Sequence, residues 1–156
     1  MDGSEFILLK GFLIRLIVMF VIYFLDNIDP KVRVSILFLL DAVDCGCTQL
    51  LAGKATGDFH LKLCQDNRYL LGDEILDYIT YIMAYKLLHL DPLFMAFVAL
   101  RVVATGIFAI TSNKYWLLIA PDAFKELVIY SWFYPLNPVN IAVICLIKVA
   151  SEYYYF

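Results

Sequence analysis

Apolar residues run along this chain in long blocks, separated by short polar clusters that mostly carry proline. The first block covers residues 5–25 behind Ser4, a residue suited to N-capping, and ends in the polar turn Asp26-Asn27-Ile28-Asp29-Pro30. Asp29-Pro30 opens the second block, VRVSILFLLDAVDCGCTQLL, with Pro30 at the first helical position where a missing N–H costs nothing. Residues 53–68 form the one long polar loop, and the third block then runs over residues 69–90 to Asp91-Pro92. The fourth covers residues 92–111, and the sixth starts at Pro138 and ends in Tyr153, Tyr154, Tyr155 and Phe156, an aromatic cluster suited to a membrane interface. The fifth, YWLLIAPDAFKELVIYSWFY, contains Pro121, so it reads either as a kinked span over residues 115–134 or as a helix starting at the proline. The second alternative falls short of the ~20 residues that a full span requires.

Composition turns these blocks into membrane spans. Of 156 residues 63% are hydrophobic and 17% charged, and the mean hydropathy is +0.79. A soluble domain sits nearer about 45–50% apolar and about 25% charged. The expected fold is therefore all-α, a polytopic membrane helical bundle of about six transmembrane helices, forming a single transmembrane domain over residues 1–156. The net charge of −3 supplies no basic field for nucleic acid. The acidic start MDGSEF lacks the form of a cleavable signal peptide. With six spans both termini share a side. Cytoplasmic termini put Lys10, Arg15, Lys54, Lys62, Arg68, Lys114 and Lys148 inside, and Lys31, Arg33 and Lys86 outside. In this arrangement Lys10 and Arg15 snorkel to the cytoplasmic headgroups.

Against that background the acids stand out. Asp41 and Asp44 lie in LFLLDAVDCG, and Asp73 and Asp77 in LLGDEILDYI. A carboxylate in the hydrocarbon core costs about 2.5–3.5 kcal/mol on the insertion scale. Spacings of three and four put each pair on one helix face. Two such helices in contact gather carboxylates around a common point, the donor set that Mg²⁺ or Mn²⁺ takes. An end of the second helix near Gly46 would bring the four acids level; without it the pairs are offset by about one or two turns. The competing reading is a charge-paired core, for example Arg101 against Asp41, and a third is an ion or proton pathway.

Cys45, Cys47, Cys64 and Cys145 lack a zinc-site spacing and read as small packing residues. Glu74 reads as a solvated first-turn acid, and Tyr78, Tyr81 and Tyr85 as a packing stripe. His60 and His89 read as surface or interface residues. Neither a Ser–His–Asp arrangement nor a Gly-rich phosphate loop is visible.

The acidic skeleton resembles that of the CDP-alcohol phosphatidyltransferases, six-span membrane enzymes whose signature reads D-x-x-D-G-x-x-A-R, about eight residues, then G-x-x-x-D-x-x-x-D. Asp41-x-x-Asp44 and Asp73-x-x-x-Asp77 match its acids on the second and third spans. Cys45 stands at its first glycine, with Gly46 one place late, Thr48 and Gln49 replace its Ala-Arg pair, and Tyr69 replaces its later glycine. About eleven further residues separate Asp44 from Asp73. The resemblance implies metal ligation by Asp41, Asp44, Asp73 and Asp77, with Asp77 also the general base. It implies that Gly46 lies at the nucleotide, and that Arg101 and Lys114 help hold donor or acceptor phosphate. The implied reaction moves a phosphatidyl group from a CDP-diacylglycerol-like lipid to a small alcohol with release of CMP, in a homodimer. The alternative expectation is a non-catalytic membrane protein, either a degenerate relative or a structural subunit of a larger membrane assembly.

Overall fold

The computed structural model of the chain describes residues 3–52 and 67–155, with side chains described over 9–41 and 67–154. The described elements are all helical: α1 (Gly3–Tyr23), α2 (Pro30–Ala52), α3 (Asn67–Leu88), α4 (Pro92–Thr111), a 3-10 helix (Lys114–Ile119), α5 (Phe124–Ser131) and α6 (Pro138–Tyr155). The fold is all-α, as the hydrophobic pattern predicts. Among the described residues one helix, Pro92–Thr111, is long and apolar enough to cross a membrane.

One local device starts three of these helices. An Asx residue precedes a proline at Asp29-Pro30, Asp91-Pro92 and Asn137-Pro138. The Asx side chain accepts the N–H of Lys31 (2.8 Å), Leu93 (2.8 Å) and Asn140 (2.9 Å) respectively. Each cap satisfies one of the orphan donors of the first turn, while proline fixes the entry torsion. Stops are equally local. His89 (φ 49°) and Ser112 (φ 54°) turn left-handed just beyond α3 and α4, and the Ser112 N–H donates to Phe108 O at 2.7 Å.

Two sequence expectations change here. Gly46 does not stop α2, which continues to Ala52. The fifth apolar block is not one kinked helix: it divides into the 3-10 helix and an eight-residue α5 that begins three residues after Pro121. At 1.5 Å per residue α5 is about 12 Å long, against a hydrocarbon core of about 30 Å.

The chain divides into two compact units, Met1–His89 and Leu90–Phe156. In the first, α1, α2 and α3 pack in three layers. The apolar layer holds Met19, Ile22, Leu37 and Met83, with Val18, Ile36, Leu40 and Ile79 against it. One to two turns along each helix comes a layer of charge: Arg15, Asp41, Asp73 and Asp77. Beyond it Phe12 stacks on Tyr69, centroids 5.8 Å apart. Residue numbers fall from the apolar to the charged layer in α1 and α3 and rise in α2, so α2 runs antiparallel to both. Arg33, at the start of α2, clamps the α1–α2 turn by donating to Tyr23 O (2.8 Å) and Asp26 Oδ1 (3.3 Å), a cation at a helix C-terminus.

In the second unit α4 buries the stripe Phe94, Val98, Arg101, Ala104, Thr105 and Phe108. Phe94 meets Phe124 of α5 edge-on at 5.9 Å. Leu117, Leu127 and Val128 complete an apolar core.

Candidate metal centre

The first unit brings Asp41, Asp73 and Asp77 together. One carboxylate oxygen from each lies within 4.8 Å of the other two. The helical spacing of Asp73 and Asp77 puts both on the face of α3 that meets α2. α2 delivers Asp41 level with them without the early stop expected at Gly46. Asp44 and Gly46 lie further along α2, and their side chains are outside the described residues, as are those of Cys45, Cys47, His60 and Cys64.

Arg15 occupies the centre of the trio, where sequence reasoning placed a headgroup-seeking side chain. Its Nη1 donates to Asp73 Oδ1 at 2.6 Å, and its Nη2 to Asp41 Oδ1 at 2.8 Å and Asp77 Oδ1 at 2.9 Å. The planar fork of arginine suits such multiple carboxylate contacts, whereas an ammonium does not. Side-chain exposure is 4% for Arg15, 7% for Asp77, 15% for Asp41 and 30% for Asp73. The cluster therefore opens to its surroundings on the Asp73 side and is closed behind Asp77. Three carboxylates against one guanidinium leave two formal negative charges among these four side chains.

Tyr81 was expected only to pack. It is fully buried, and its hydroxyl donates to Asp77 Oδ2 at 3.3 Å, so each Asp77 oxygen is held by a separate donor. Glu74 is buried rather than solvated and accepts from the Tyr78 hydroxyl at 3.0 Å. On the other side of α3, Gly72 meets α1 closely: a Cβ added there would overlap the ring edge of Phe12. That close approach lets α1 carry Arg15 to the acids. The sequence signal for Arg15 was present, since a lone arginine in GFLIRLIVMF requires a counter-charge as much as the aspartates do.

Arg101 and Lys114 lie in the second unit. Arg101 is buried, and its Nη1 donates to Leu117 O (2.7 Å), Ala120 O (2.9 Å) and Glu152 Oε2 (3.3 Å). The other Glu152 oxygen accepts the N–H of Asp122 at 3.0 Å. These bonds tie α4 and α6 to the segment between α4 and α5, and give a donor to the Leu117 and Ala120 carbonyls just before the break at Pro121. The arginine against Asp41 is thus Arg15, from the same unit. Lys114 begins the 3-10 helix and is half-buried.

The donor chemistry fits a hard divalent cation: three carboxylates from two helices, one of them accessible. Comparison of the chain with protein-family models, with curated proteins and with solved structures finds no match.

Proposed function

We propose that this chain is a multi-pass membrane phosphotransferase of the CDP-alcohol type, and that Asp41, Asp73 and Asp77 hold its Mg²⁺ or Mn²⁺ together with Asp44. The observation that carries this reading is the convergence of three carboxylate oxygens from α2 and α3 within 4.8 Å of one another. It coincides with the acidic skeleton of the resembled signature. The exposed apolar side chains on the helices, among them Ile110, Leu146 and Ile147, suit contact with lipid.

In this reading the acceptor hydroxyl approaches from the open Asp73 side. Its oxygen attacks the donor phosphorus, the bond from phosphorus to the CMP oxygen breaks, and Asp77 takes the hydroxyl proton. Tyr81 fixes the orientation of the Asp77 carboxylate. A divalent cation bound by the aspartates would neutralise the donor phosphates and stabilise the charge that develops on the leaving nucleotide.

The test is CMP release from CDP-diacylglycerol with a panel of small alcohols. Release should require Mg²⁺ or Mn²⁺ and fall by about 10²-fold or more in Asp77→Asn. A second reading has its own observation: Arg15 bonds all three acids, as a static ion-pair core of a non-catalytic membrane protein would. The absence of CMP release with every acceptor and either metal would favour that reading.

A further inference from the structure

The guanidinium of Arg15 lies where the three carboxylates converge, with Nη2 between Asp41 and Asp77 and Nη1 on Asp73. A cation ligated by the same oxygens at about 2.1 Å would need that space, and would meet a positive charge already in it. Arg15 is 4% exposed, so water does little to screen the conflict. The arginine stem emerges from α1, a different helix from the two that carry the acids. The acids can therefore stay in place while the guanidinium leaves.

We propose that Arg15 is a built-in stand-in for the cation: its ion pairs keep the acids together in the cation-free protein, and cation binding and those ion pairs exclude each other. This rests on the metal-site reading above. Two consequences follow. The cation's apparent affinity is lowered by the fraction of molecules in which Arg15 has withdrawn. A withdrawn state populated at about one part in ten or less weakens binding about tenfold or more. The guanidinium that the cation displaces also becomes available on the Asp73 side, where an anionic phosphate group of a lipid-linked donor would arrive.

The probe is Mn²⁺ itself, titrated into the full-length purified chain in detergent, with free Mn²⁺ measured by electron paramagnetic resonance. Arg15→Gln should bind Mn²⁺ at least about tenfold more tightly than wild type. Its melting temperature should fall in EDTA and recover with Mn²⁺. Equal affinities in the two proteins would overturn the stand-in role while leaving the metal site intact. Mn²⁺ binding by neither protein would overturn both. Should Arg15→Gln fail to fold, the wild type and the charge-conserving Arg15→Lys serve instead: the side-chain N–H resonance of Arg15, assigned by its loss in Arg15→Lys, should shift on Mg²⁺ titration of the wild type. Mg²⁺ binding without movement of that resonance would refute the proposal.

Discussion

The three contacts of Arg15 allow a contest between distance and burial. Asp73 is the nearest partner at 2.6 Å and Asp77 the farthest at 2.9 Å. At fixed dielectric that difference changes a Coulomb energy by only about a tenth. Exposure runs the other way, 30% for Asp73 against 7% for Asp77, and the effective dielectric changes several-fold between wet and dry surroundings. Burial should therefore decide. Arg15→Met keeps the apolar stem and removes the charge, leaving carboxylates facing one another, at a cost of about 3–5 kcal/mol. Double-mutant cycles pairing Arg15→Met with each Asp→Asn should give coupling to Asp77 of about 2–3 kcal/mol and to Asp73 of about 1 kcal/mol or less, with Asp41 between. The assay is denaturation of the purified chain in EDTA, followed by far-UV circular dichroism. A coupling to Asp73 equal to or larger than that to Asp77 would refute the argument.

Other substitutions probe the scaffold. Gly72→Ala should destabilise the first unit by about 1–3 kcal/mol, because its methyl group displaces the Phe12 ring; adding Phe12→Leu should restore most of the loss in the same denaturation assay. Tyr81→Phe removes one long hydrogen bond to Asp77 and should cost about 0.5–1 kcal/mol by the same measurement. Arg101→Leu leaves Glu152 without its guanidinium and two carbonyls without their donor, and should cost about 3 kcal/mol; limited proteolysis should then cut within residues 112–123 well before wild type is cut.

Helix starts were legible because they are local. Asx-Pro pairs at residues 29, 91 and 137 carry both the cap and the torsion, and neither needs the rest of the fold. The pairing of Asp73 with Asp77 was legible for a similar reason, since a spacing of four fixes a shared face. Arg15 was not. α1 is apolar all round, so its pattern names no inner face, and an arginine on it can be read as reaching for headgroups or for acids. Only the close approach at Gly72 decides between them. Gly46 misled in the opposite sense: glycine weakens a helix by about 1 kcal/mol, which does not by itself end one. In the fifth block, Pro121 marked the break. The 3-10 geometry before it is fixed by Arg101, which bonds two carbonyls from sixteen and nineteen residues away.

The charged layer draws its cation from α1 and its acids from α2 and α3, and this bears on how such a chain is made. If the helices enter a bilayer one at a time, as the proposed function requires, α1 brings Arg15 before any of its three aspartate partners, and α2 then brings Asp41. The guanidinium gains its other two aspartate partners only when α3 supplies Asp73 and Asp77. The first three helices would then be inserted as a committed set, and a chain interrupted before residue 77 would be a substrate for quality control rather than a smaller working protein.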